Sequence, residues 1–319
     1  MKVFSAALLF IFCLCFTSCS EKPKVQAEKK DTLKPVTTPV KSDSLSGIKY
    51  AVSKYFTPVL NTPDFKSVYG GINGSTLKRS SNGLIKEVEY AAYPGSGFEI
   101  LEEYDKGTYK IYKVKTEEYE IPLNGSGLFI DSRFVEIKNT KPEKRKVILP
   151  SEKEIYDYLD KSIGAMYVWG ANNIDGVPQM TEFYPPKSEL TSSEKKEWSL
   201  KGLDCSGLIY EATRGYTARN THQLVSYGEP VKIAGLSATQ ISSKVKPLDL
   251  IVWKGHVIVV YDKNTTIESS FTAGKVVKKN LIDVLEKLTL KRKPVDEWSG
   301  GIKNEFVIRR WYGTNDKHQ

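Results

Sequence analysis

The sequence predicts an α+β protein, with a small all-β front part followed by a larger part in which a cysteine-bearing helix precedes core strands. Three observations predict it. Short runs rich in Val, Ile, Tyr and Phe follow one another over residues 47–137, broken by Gly-rich turns. Helical spacing takes over at Ser151. Further on, two apolar, β-branched runs, 248–252 and 257–261, flank Trp253-Lys254-Gly255-His256.

The first residues read as an export address. After Lys2, residues 3–16 are almost wholly apolar, too short a run for a bilayer, which takes roughly 20 residues. Phe16-Thr17-Ser18-Cys19 resembles a bacterial lipobox, which implies a signal peptide over 1–18 and a lipid on Cys19. Residues 19–46 are rich in Lys, Pro, Thr and Ser; they cannot bury enough surface to fold and suit a disordered tether. Of four cysteines, Cys13 and Cys15 leave with the signal and Cys19 takes the lipid. Cys205 then stands unpaired in an exported chain, either buried and inert or catalytic. The net charge of +9 is spread along the chain with no compact Lys/Arg block among aromatics. That argues against a nucleic-acid partner and fits a soluble surface or attraction to anionic envelope polymers.

In the front part, residues 86–93, 98–104 and 109–114 read as strands. Pro94-Gly95-Ser96-Gly97 and Asp105-Lys106-Gly107 are the turns between them, and 129–135 closes a domain over 47–138. Strands this short and close predict a small barrel, and they resemble a bacterial SH3-like domain. Residues 139–150 read as a charged linker. The last domain, 151–319, opens on a capping box of Ser151 and Glu154, with Ile155, Tyr158, Leu159 and Ile163 on one helical face. Residues 172–201, polar and containing Pro185-Pro186, read as an inserted loop. Leu208, Ile209 and Ala212 share a face of the helix that Cys205 opens. Ile267, 276–277 and 306–311 read as strands and 280–290 as a surface helix.

At the first turn of a helix, the dipole and free backbone N–H groups favour a thiolate, and Gly207 allows close packing behind Cys205. A thiol nucleophile needs a neighbouring base. His318 lies in a polar tail and His222 in a solvent-facing helix, whereas His256 opens a rigid strand. A strand-end His also fits a plain structural role. The far ring nitrogen needs a third group, for which Glu268 on the next strand is placed; a surface acid on an edge strand fits the same text. No two His have ligand spacing and one Cys makes no zinc site, so neither metal nor cofactor is expected.

Five segments then fall in order: Tyr167-Val168-Trp169-Gly170, Asp204-Cys205-Ser206-Gly207-Leu208-Ile209, Arg219 with Gln223, Pro247-Leu248-Asp249-Leu250-Ile251, and His256-Val257-Ile258-Val259-Val260-Tyr261. Together they resemble the successive motifs of the NlpC-type, papain-like cell-wall cysteine peptidases, over about residues 151–319. The resemblance implies a papain-like fold with Cys205 as nucleophile and His256 as base. Glu268 stands where that family usually has His, and Leu248 where it usually has Gly. It further implies that the Tyr167 hydroxyl helps hold the oxyanion, that Asp204 and Ser206 shape the substrate pocket, and that Arg219 lies beside it. The implied reaction is hydrolysis of murein stem peptides at the bond from γ-D-glutamate to a diamino acid. With an SH3-like domain in front, the chain looks most like the dipeptidyl-peptidase VI type, which releases L-Ala-γ-D-Glu. In that type the front domain walls the cleft and an acid grips the free amine. Here Asn220 follows Arg219, and Tyr93 is either the front-domain residue that reaches the cleft or a packed barrel tyrosine. The rival readings are a murein-binding module without catalysis, and an amidase or acyltransferase on the same fold. The expected form is a monomer held outside the cytoplasm to a bacterial membrane through Cys19.

Overall fold

The computed structural model describes residues 47, 49–120, 127–300 and 304–313. The signal segment, Cys19, the tether and His318 lie outside the described residues. The front sheet is built from β1 (Lys49–Ser53), β2 (Thr57–Leu60), β3 (Val88–Ala92), β4 (Gly97–Asp105), β5 (Lys110–Lys115), β6 (Leu128–Asp131) and β7 (Val135–Lys138). Their order is β3-β2-β6-β5-β4-β1-β7, antiparallel throughout. Among the described residues no pairing joins β3 to β7, so the sheet is open where a closed barrel was expected. The reason lies at the edge of β3. An edge strand exposes unpaired backbone groups that must be covered. Here the Asn172 amide does so: its Oδ1 accepts the Ala91 N–H at 3.0 Å and its Nδ2 donates to the Ala91 carbonyl at 3.0 Å. Trp169 Nε1 donates to the Val88 carbonyl at 3.0 Å. The edge is thus capped by the C-terminal part of the chain.

That part starts with α1 (Glu152–Lys161), whose Ser151–Glu154 capping box forms. The helix ends before Ile163, which is exposed and not on its buried face. The segment 172–201 is not a loop. It carries α2 (Gln179–Phe183) and α3 (Ser192–Trp198), the latter started by a second capping box, Thr191 with Glu194. Met180, Tyr184, Leu190 and Trp198 are buried in the same core as Tyr90, Phe98, Ile111 and Ile130 of the front sheet. The insertion therefore glues the two parts together. Trp198 satisfies its indole N–H on the Tyr184 carbonyl at 2.8 Å.

After α4 (Cys205–Ala212) come β8 (Leu250–Trp253), β9 (His256–Val260), β10 (Thr265–Ser270), β11 (Lys275–Asn280), α5 (Leu281–Thr289) and β12 (Glu305–Arg310). The sheet order is β12-β8-β9-β10-β11, antiparallel, with two-residue strands at Glu229–Pro230 and Lys293–Pro294 on β12. Both faces of β8 and β9 are covered, which is why those two strands read as unbroken apolar runs. Leu250, Val252, Val257 and Val259 pack with α1 and α4, while Ile251, Ile258, Val260 and Ile308 pack with α5. Leu248, in the turn before β8, sits at φ +66°, a left-handed conformation that costs a branched side chain on the order of 1–2 kcal/mol. Its complete burial offsets that strain.

Candidate active site

Asp204 caps α4, its Oδ1 accepting the Gly207 N–H at 2.7 Å, and this fixes where Cys205 begins the helix. The helix start presses against the chain behind it: a Cβ at Gly207 would lie 2.2 Å from the Ala171 carbonyl oxygen. Arg219 locks the same corner. A guanidinium has five N–H donors. Those of Arg219 reach Asn172 Oδ1 at 3.3 Å, Asp204 Oδ1 at 3.0 Å, Ser206 Oγ at 2.8 Å, Asp204 Oδ2 at 2.7 Å and the Ala171 carbonyl at 3.4 Å. Burial opposes the Arg219 charge, but the Asp204 carboxylate outweighs it and the guanidinium pKa rises. The resemblance implied that Asp204, Ser206 and Arg219 shape the substrate pocket. In the structure all three are buried and bonded to one another under the helix start. No donor of Arg219 is left for a ligand, so the three brace Cys205.

Cys205 is a free cysteine, 9% exposed. The first N–H groups of a helix lack carbonyl partners, so donors remain available beside the thiol. Tyr167 is near enough for the Cys205 charge to act on its hydroxyl, and is held by its backbone N–H on the Gly274 carbonyl at 2.9 Å and by its ring against Phe271, centroids 5.5 Å apart. Burial, then the nearby Asp204 and Cys205, push the Tyr167 hydroxyl well above its ordinary pKa, so it stays protonated and can donate. A cavity of about 120 Å³ beside Tyr167 is lined by Ile85, Trp169, Glu197 and Phe271. A larger cavity of about 360 Å³ lies against the front sheet, away from the thiol; there Glu117 and Glu118 already pair with Lys141 and Arg145.

His256 opens β9 with its Nε2 2.6 Å from Glu268 Oε2. The Cys205 thiol lies near enough to act on the charge of the ring. Burial works against a charged imidazole. The hydrogen bonds and charges of Cys205 and Glu268 outweigh it and raise the ring to about 9. Glu268 is itself buried, which pushes its carboxyl up, but His256 and Lys279 more than offset this and hold it below the usual range. Lys279 Nζ donates to Glu268 Oε1 at 2.6 Å, a contact that nothing in the local sequence signals. The exposed His222 takes no part. The structure thus brings together a thiol, an imidazole and a carboxylate.

Two expected pocket residues are placed otherwise. Tyr93 turns its hydroxyl to the half-buried Glu211, six residues along α4 from Cys205, and packs on Tyr210. It ties the front sheet to the helix instead of reaching the cleft. Asn220 caps the short helix Thr221–Leu224 through the Gln223 N–H at 3.0 Å and donates to the Glu120 carbonyl at 3.2 Å.

Burial raises the Glu211 carboxyl from 4.5 to about 7 against the hydrogen bond from Tyr93. A carboxyl raised this way adds stability below its unfolded value and loses it as the pH climbs through about 7. Glu211→Gln is therefore expected to be more stable than wild type at pH 8, by roughly 1–2 kcal/mol, and equal to it near pH 5. Denaturant titration at the two pH values checks this.

No family model matches the chain, and no curated protein does. Solved structures similar to it include an NlpC/P60 family protein from Bacillus cereus: 15% identity, 83% of this chain and 64% of that one, TM-score 0.31. Another is the peptidoglycan hydrolase RipB of Mycobacterium tuberculosis: 19% identity, 50% of this chain and 63% of that one, TM-score 0.30. A third is an NlpC/P60 endopeptidase from Photobacterium damselae subsp. piscicida: 10% identity, 72% of this chain and 64% of that one, TM-score 0.39. The chain spans just under two thirds of each. Likeness this distant carries no chemistry across; the chemistry rests on the geometry around Cys205.

Proposed function

We propose that this chain is a lipid-anchored cysteine peptidase of the NlpC/P60 kind that cuts murein stem peptides between γ-D-glutamate and the diamino acid. The observation that carries the reading is His256, hydrogen-bonded to Glu268 and near enough to Cys205 for the thiol to act on its charge. In this reading the Cys205 sulfur attacks the peptide carbonyl while the Cys205 N–H and the Tyr167 hydroxyl receive the oxyanion. His256 gives its proton to the leaving amine, and a thioester to Cys205 remains. His256 then takes a proton from water, whose oxygen displaces the sulfur and releases the acid. A signal peptide over 1–18, the tether and a lipid on Cys19 would hold residues 151–319 and an SH3-like front domain in the envelope.

The released product on this reading is L-Ala-γ-D-Glu, from stems with a free amine. This reading gives the grip on the amine, for which Asn220 supplies no charge, to Glu89. Tyr119 donates its hydroxyl to Glu89 Oε2 at 2.6 Å, and Asn61 donates to Glu89 Oε1 at 2.8 Å. A carboxylate so held still has lone pairs for an ammonium. The test compares a free tetrapeptide with its N-acetyl form. The free peptide should be cut faster, by about tenfold, and Glu89→Gln should erase most of the difference. Equal rates on both in the wild type would overturn the free-stem reading and favour intact wall as substrate.

A further inference from the structure

We propose that Lys279 is a positioning residue of this site: it pins the outer oxygen of Glu268, offsets that carboxylate's charge, and so limits how tightly His256 keeps its proton. The β10–β11 register sets Thr266 opposite Lys279 and Glu268 opposite Val277. Lys279 is therefore the diagonal neighbour of Glu268 on one face, within reach of a long side chain. One carboxylate is gripped from both ends, by Lys279 Nζ on Oε1 at 2.6 Å and His256 Nε2 on Oε2 at 2.6 Å.

Most surface ion pairs do little because both partners stay in water. This one differs. The Glu268 side chain is 6% exposed, while that of Lys279 is 43% exposed. Without Lys279 the buried carboxylate would face His256 with its full charge and one oxygen unpaired. The imidazolium would then hold its proton harder and be a poorer acid toward a leaving amine, since a general acid works best with its pKa near the working pH.

The neighbouring charges leave Lys279 this task. From α4 the titratable group facing His256 is Cys205. From α5 come Leu281, Leu285 and Leu288, with Asp283, Glu286 and Lys287 exposed. Arg292 lies over the Trp253 ring, 4.8 Å from its centroid, and Trp253 packs on His256. Lys278 is committed elsewhere, to Asp160 at 2.8 Å and to the face of Tyr261. Of two adjacent lysines, only Lys279 serves Glu268.

The role in turnover rests on the peptidase reading; the effect on the ring does not, and the experiment separates them. The His256 imidazole is titrated by NMR in wild type, Lys279→Met, Lys279→Arg and Lys278→Met, and stem-peptide turnover is followed against pH in the same set. In Lys279→Met the ring midpoint should rise by about half a unit or more, because a repelling positive charge is gone. The upper limb of the turnover profile should move up with it, and kcat should fall by about tenfold with KM little changed, the worth of one charge-assisted hydrogen bond. Lys279→Arg should restore both, and Lys278→Met should move neither. Lys279→Gln reads the same shift should the Met variant fold poorly. An unmoved midpoint in Lys279→Met, or an equal move in Lys278→Met, overturns the proposal. A midpoint that moves as stated, in a protein that cuts no stem peptide, upholds the positioning and overturns the peptidase reading.

Discussion

Cys205→Ala is expected to lower turnover of a stem peptide by on the order of 10⁴-fold or more while leaving the fold in place. The thiol is the atom that bonds to substrate in the proposed reaction, and nothing beside it can take over. Ser206 is turned into the buried corner, its hydroxyl held by Arg219 at 2.8 Å. The structural cost is small. Cys205 supplies no cap to α4, whose start is fixed by Asp204 and Arg219. Losing one sulfur from its packing costs about 1 kcal/mol or less. Circular dichroism and melting should therefore match wild type, and iodoacetamide should label wild-type Cys205 and stop turnover. Turnover that survives in Cys205→Ala would remove the thiol from the chemistry.

His256→Ala comes next in size, with an expected loss of roughly 10²–10⁴-fold, the usual worth of a positioned acid–base group. Glu268→Gln should be milder, since an amide oxygen can still accept the ring N–H. The pH dependence comes from the shift in the ring. The imidazolium is the acid in the first step, so turnover should fall as the pH rises through about 9. Stability should track the same group. Its folded pKa lies above the unfolded 6.5, so its contribution is complete below 6.5 and lost as the pH climbs through about 9. In His256→Ala that decline in stability should disappear, which denaturant melts at pH 6 and pH 10 would read. Turnover undiminished in His256→Ala and lost in His222→Ala would place the base elsewhere.

The local features of this chain were legible in its sequence. The Ser151–Glu154 capping box, the helix opened by Cys205 and the strand opened by His256 are all written within a few residues. What could not be read was long-range. The segment 172–201 is polar on average, and its buried side chains, Met180, Tyr184, Leu190 and Trp198 among them, find their partners in a sheet about a hundred residues earlier. A signal was present even so: Thr191-Ser192-Ser193-Glu194 is a capping box followed by a tryptophan. The barrel failed to close because Asn172 and Trp169 take the edge of β3, a pairing with no periodicity to announce it. Arg219 looks like a ligand-binding charge until all its donors are counted against Asp204 and its neighbours. Lys279 reads as one of a pair of solvated lysines, and only strand register separates it from Lys278.

The most direct measurement is mass analysis of L-Ala-γ-D-Glu-diamino acid-D-Ala after incubation with the wild-type protein and with Cys205→Ala. The wild type should yield L-Ala-γ-D-Glu and the diamino acid-D-Ala dipeptide, and the variant should leave the tetrapeptide intact. Intact tetrapeptide from the wild type, or the same two products from Cys205→Ala, would contradict a cysteine peptidase built on Cys205.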